Sequence, residues 1–115
     1  MTPEGLIKKQ VDRVLTTAGA YYHKPVVNGM GKPTLDYVGC HLGLFFAIET
    51  KAEGKQMTER QKITATAMTD AGGRVFLVNA VTGTEELETW LQDIDALEAE
   101  MNSMNALLKS MEKTK

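Results

Sequence analysis

The sequence predicts a small α/β domain: a mixed β-sheet flanked by helices, followed by a long C-terminal helix. Three observations predict it: one amphipathic stretch at helical spacing before the first strands, strand-like segments on both sides of a capped helical segment, and an uninterrupted heptad pattern after residue 84. At 115 residues the chain has room for one core, and a core of that size is stable without metal or disulfide staples.

Residues 4 to 19 open the chain with Leu6, Ile7, Val11, Val14, Leu15 and Ala18 on one stripe. Thr2 is placed to cap the helix, Pro3 suits its first position and Gly19 ends it. Tyr21 to Val27 reads as a short edge strand, and the Gly- and Pro-bearing segment from Asn28 to Pro33 as a loop. Asp36 to Cys40 and Leu44 to Lys51 favour two strands of a hairpin, with Gly43 near the connection. The second of these is apolar until its last three residues, as expected of a central strand whose charged end emerges at the edge of the sheet.

Thr58 caps a second helix that runs to about Ala71 and stops at Gly72-Gly73, and Arg74 to Ala80 forms a further strand. Strand, helix, strand in that order implies a right-handed crossover with parallel pairing. In the last segment Trp90, Ile94, Leu97, Met101, Met104, Leu108 and Met111 are spaced 4, 3, 4, 3, 4, 3, the a/d repeat of a left-handed coiled coil. Such a seam is covered either by a second copy of the chain or by the helix folding back on its own domain. We therefore divide the chain into a core, residues 1–84, and a C-terminal helix, residues 85–115, expected to serve self-association.

The net charge of −2 is unevenly spread. Residues 1–84 hold 10 Lys and Arg against 7 Asp and Glu, a balance of +3, whereas residues 85–115 hold 3 Lys against 8 acids, a balance of −5. Local potential decides where a phosphate backbone docks, so the first three-quarters of the chain is the expected surface, with Lys8, Lys9, Arg13, Lys24, Lys32, Lys55, Arg60 and Lys62 as candidate contacts taken as a set. The single cysteine, Cys40, argues against a disulfide-stapled secreted protein and is expected to be a small buried hydrophobe; the longest apolar run is far too short for a membrane span. The expected location is the cytoplasm. His41 reads as a turn residue, and Tyr21 and Tyr22 as core packing.

The chemistry concentrates on the hairpin. Asp36 opens one strand, and Glu49 and Lys51, two apart, point to one face near the end of the other. Hydrolysis of a phosphodiester requires an activated water and relief of charge on the phosphate, and a divalent metal on two carboxylates supplies both. Hard oxygen donors favour Mg²⁺ or Mn²⁺, while one Cys and two scattered His make no zinc site. Lys51 would orient or deprotonate the water, or stabilise the phosphate. The plainer reading of a Glu-x-Lys pair at a strand end is a solvated ion pair, and of an Asp before a strand a turn cap.

The runs Gly-Lys-Pro-Thr-Leu-Asp-Tyr-Val-Gly-Cys and Gly-Leu-Phe-Phe-Ala-Ile-Glu-Thr-Lys-Ala-Glu-Gly-Lys, followed by Thr58-Glu-Arg-Gln61 and Gly-Gly-Arg-Val-Phe-Leu-Val, closely resemble the VRR-NUC group of PD-(D/E)xK nucleases, including its short stand-alone viral and phage members. The resemblance spans residues 4 to about 90. It implies a restriction-endonuclease-like core and a metal-dependent DNA endonuclease. In it Asp36 corresponds to the motif Asp, Glu49 and Lys51 to the E-x-K pair, Gln61 to the Gln of the next helix and Glu4 to the acid of the first helix. The Thr50 carbonyl would complete the metal ligands. The family usually has Pro immediately before its Asp; here Leu35 stands there, with Pro33 two positions earlier. DNA is the implied partner, a homodimer through the last helix is expected, and the competing class is a non-catalytic DNA-binding or assembly module that keeps the fold.

Overall fold

A computed structural model describes residues 2–26 and 31–113. The elements run α1 (Pro3–Ala18), β1 (Tyr21–His23), β2 (Tyr37–His41), β3 (Leu44–Lys51), α2 (Glu59–Asp70), β4 (Arg74–Asn79) and α3 (Glu85–Lys113). The start of α1 follows its capping chemistry: the Gly5 N–H donates to the Thr2 hydroxyl at 3.0 Å, and Pro3 occupies a first-turn position that has no intrahelical donor to lose. Gly19 closes the helix in the left-handed region at φ 73°.

The four strands lie in the order β1-β2-β3-β4. β1 and β2 pair antiparallel, as do β2 and β3, while β3 and β4 pair parallel across the α2 crossover, so the sheet is mixed as expected. The expected strand over Tyr21 to Val27 is shorter, and its last residue lies outside the described residues, as does the first half of the Asn28 to Pro33 loop. β2 and β3 are joined by the two residues Leu42 and Gly43, at φ 49° and 88°, the sign pattern of a type I′ hairpin turn.

β3 is central and its two faces differ. Phe46 and Ile48 point into the core with Phe76 and Val78 of β4, under Ile7, Val11 and Leu15 of α1 and Leu87 and Leu91 of α3. The alternate face of β3, bearing Ala47, Glu49 and Lys51, lies toward α2. Gly39 of β2 packs so closely that a Cβ there would strike the Tyr21 carbonyl and the Phe46 ring, which keeps β1 against the hairpin.

The first part of α3 belongs to this core. Trp90 stands edge-on to Phe46 and Phe76, at centroid distances of 5.9 and 5.4 Å, and Ile94 is buried. The head of the heptad seam is thus covered by the protein's own sheet, because the turn over residues 80–84 after β4 lays α3 back over the strands. From Leu97 onward the helix projects, and Leu97, Met101, Met104, Leu107 and Leu108 are all at least half exposed, giving the molecule a long axis of 62 Å. Among the described residues no helix is long and apolar enough to cross a membrane.

Three side chains differ from expectation. Cys40 is exposed, because α2 covers the β3 and β4 side of that face and leaves β2 open. His41 is not a turn residue; it ends β2, is buried, and its Nε2 lies 2.7 Å from Asp95 Oδ1 of α3. Tyr21 is exposed, whereas Tyr22 packs against Tyr37 at a centroid distance of 5.9 Å.

Candidate active site

Register decides which groups meet at the open end of the hairpin. Tyr37 pairs with Ile48, so one residue earlier Asp36 falls opposite Glu49, and its backbone N–H donates to Glu49 Oε1 at 3.2 Å. The carboxylate of Asp36 turns back onto the next residue: Oδ2 accepts from the Thr50 N–H at 2.9 Å and from the Thr50 hydroxyl at 2.7 Å. Oδ1 accepts no hydrogen bond among the described residues, and Lys8 Nζ stands 3.9 Å from it. Thr50 is fully buried, and because a strand residue turns its N–H and C=O to the same side, its carbonyl faces the Asp36 edge of β3.

Glu49 is 2% exposed, an unusual environment for a carboxylate. Its Oε2 accepts from Gln61 Nε2 at 2.7 Å, and Lys51 Nζ lies 3.4 Å away with only 15% of its side chain exposed. Burial raises the carboxyl of Glu49 above its ordinary range, and the charge of Asp36 raises it further; Lys51 and the Asp36 N–H pull in the opposite direction and do not cancel the shift. The two acids thus lie side by side with two cations next to them, Lys8 at Asp36 and Lys51 at Glu49.

Gln61 is fixed from its other end. Its Oε1 accepts from the Thr58 N–H at 2.9 Å while its own N–H donates to the Thr58 hydroxyl at 3.2 Å, a complete capping box. The start of α2 and the side-chain amide that reaches Glu49 are therefore one structure.

The structure thus brings Asp36, Glu49, Thr50, Lys51 and Gln61 together through contacts of 2.7–3.4 Å. Glu4 makes no hydrogen bond or ion pair among the described residues, and no group of three His, Cys, Asp or Glu converges there. The oxygen donors around the strand ends are therefore two carboxylates and a backbone carbonyl. That set fits a hard divalent cation with positions left for water or phosphate, and it does not fit zinc.

Lys8 was legible in the sequence only as one cation of a set, yet it is the basic group nearest Asp36. One turn of α1 separates it from Glu4, which is the spacing that could have singled it out. α1 is held at this point by Tyr37, whose hydroxyl shares its one hydrogen between Asp12 Oδ1 at 2.8 Å and the Lys8 carbonyl at 3.0 Å, while Lys24 pairs with Asp12 Oδ2 at 2.7 Å. A groove of about 610 Å³ runs along α2, lined by Phe45, Ile63, Thr64 and Met68 among others; it is apolar and does not include the acids.

Among solved structures the chain is similar to a VRR_NUC domain, with a TM-score of 0.60 and 17% identity, over 84% of this chain and 97% of that one. No protein-family model matches the chain, and no curated protein does. At that identity the likeness establishes the fold: this chain has the VRR_NUC-type nuclease fold, as the sequence resemblance implied.

Proposed function

We propose that this protein is a metal-dependent DNA endonuclease, with Asp36, Glu49 and the Thr50 carbonyl holding Mg²⁺ or Mn²⁺, and Lys51 acting on the attacking water. The observation that carries this reading is the burial of Glu49 within reach of both Lys51 and Gln61, beside Asp36. A surface ion pair has no need of such enclosure, and it is worth little in stability when exposed.

When bound, the metal supplies Lewis-acid activation of water and charge relief for the scissile phosphate. The protein's own groups do the rest. Glu49 is held by the Asp36 N–H and the Gln61 amide, so its carboxylate cannot swing away. Asp36 keeps Oδ2 on Thr50 and offers Oδ1. Lys51, mostly shielded from solvent, is placed to orient the attacking water or take its proton. Gln61 is a positioning residue acting through Glu49, and Glu4, on the helix face that also carries Lys8, would act from the α1 side.

The positive balance of residues 1–84 supports docking of the DNA backbone there, and a cytoplasmic location agrees with that substrate. Residues 1–84 would carry the catalytic groups, and residues 85–115 would join two copies through the exposed half of α3. Two sites on one assembly suit the cutting of two strands or of a branched junction.

Supercoiled plasmid and branched DNA, each incubated with Mg²⁺, Mn²⁺ or EDTA, test the reading. Metal-dependent nicking is expected, and Lys51→Ala should lower it by about 10²-fold or more while DNA retention persists. DNA binding without any metal-dependent cutting would overturn it in favour of a non-catalytic module.

A further inference from the structure

The projecting half of α3 has a direction written into its charges. From residue 85 to residue 100 the helix carries seven acids (Glu85, Glu86, Glu88, Asp93, Asp95, Glu98 and Glu100) and no base; from 101 to 113 it carries Lys109 and Lys113 against Glu112 alone. The apolar seam lies across the junction of these two halves, with Leu97, Met101, Met104 and Leu108 exposed.

We propose that a second copy of this chain seats on this seam in the antiparallel direction, with Leu97 level with Leu108 of the other copy and Met101 level with Met104. The proposal rests on the self-association reading above and adds the orientation. With Leu97 and Met104 at d and Met101 and Leu108 at a, this register stacks a on d in four consecutive layers, as antiparallel helices require. It sets Glu98 beside Asn105 and Glu100 beside Leu107 of the other copy, so no flanking pair has like charges. It also carries Lys109 and Lys113 toward the acidic first half of the opposite helix, and it opposes the two helix dipoles.

The parallel alternative fails on two counts. Asp93 at g would face Glu98 at e of the second copy, twice by symmetry, and the two acid-rich halves would lie side by side. Residues 87 to 94 are also pinned to the sheet of their own domain, so parallel helices would press both cores into the same end of the bundle. In the antiparallel register the two Ile94 residues are separated by about 25 Å along the helix axis, from a rise of ~1.5 Å per residue. The cores then sit at opposite ends.

The test uses the full chain in a Cys40→Ser background, since the native thiol is exposed. Leu97→Cys and Leu108→Cys are oxidised separately and as a mixture of two differently tagged proteins. Disulfide-linked heterodimer in the mixture, with little link in either single variant, is expected. Sedimentation of the parent should show a dimer, and Met101→Glu with Met104→Glu should weaken it by at least about ten-fold without changing the circular dichroism, because neither side chain is buried in its own fold. A dimer that links 97 to 97 or 108 to 108 overturns the orientation and leaves self-association standing. A dimer with no link in any arm moves the interface elsewhere and overturns the seam, and a strictly monomeric parent overturns both readings.

Discussion

The backbone N–H of Asp36 donates to Oε1 of Glu49 at 3.2 Å, across the open end of the β2–β3 hairpin. The two acids of the candidate site are therefore coupled through the main chain as well as by charge. Either carboxylate is held in place by groups that belong to the fold, so a structural role and metal binding are separable by experiment.

A divalent cation at these acids should stabilise the folded protein by mass action, about 2.7 kcal/mol at a concentration a hundred times the dissociation constant. Thermal melts with and without Mn²⁺ should show an upward shift in the parent. Asp36→Asn and Glu49→Gln should each lose the Mn²⁺-induced shift, whatever they do to the melting temperature without metal. A shift that survives both substitutions would place the cation elsewhere.

Gln61 combines two tasks that one substitution can divide. Gln61→Glu keeps an oxygen to accept from the Thr58 N–H but puts a carboxylate where an amide now donates to Glu49. The helix should remain capped while metal-dependent cutting falls by about ten-fold or more, with Mn²⁺ affinity altered in calorimetry. Gln61→Ala removes both contacts and should also cost about 1 kcal/mol of stability. Equal activity in the parent and Gln61→Glu would remove the residue from the site.

Tyr37 anchors α1 to the sheet. Burial, reinforced by Asp12, pushes its phenol far above the ordinary tyrosine range, so it stays protonated until the fold opens at alkaline pH. Tyr37→Phe strips a donor from the Lys8 carbonyl and from Asp12, and should destabilise the protein by about 1–3 kcal/mol in urea melts. Parent-like stability would show that α1 is held by its apolar stripe alone.

Leu42 is the described non-glycine residue with positive φ, at 49°, in a turn that favours Asn followed by Gly. Leu42→Asn creates that pair with Gly43 and should raise stability by about 0.5–1 kcal/mol, read as a melting temperature a few degrees higher. A loss of stability would mean that the half-exposed leucine side chain contributes packing that outweighs its backbone strain.

What the sequence made legible were features with local causes. Thr2, Pro3 and Gly19 delimit α1, Thr58 and the Gly72-Gly73 pair delimit α2, and the apolar run before Glu49 marks the central strand. The strand expected over Asp36 to Cys40 runs from Tyr37 to His41: it ends one residue later because the turn uses Leu42 at positive φ, and leucine carries no turn signal, while Asp36 lies just before it with its carboxylate on the Thr50 N–H. Long-range contacts were illegible. His41 is buried and meets Asp95, 54 positions away, and nothing near it in the chain announces that partner. Trp90 and Ile94 fit the heptad as well as Met101 does, since periodicity identifies a face to be covered and is silent on what covers it. At the candidate site the meeting of Asp36, Glu49 and Lys51 follows from strand pairing, but the Thr50 hydroxyl and Lys8 enter through tertiary packing.

Continued by two residues, the β2–β3 pairing would set Thr50 opposite Leu35; the chain leaves the sheet before that, and a carboxylate oxygen of Asp36 receives the amide hydrogen that a main-chain oxygen would otherwise have taken. The acid thus serves as the selvedge of the sheet. Its aim is fixed by the fold itself, so a cation bound there would cost little rearrangement entropy, and amide-exchange protection at Thr50 would record whether that side chain stays at its post.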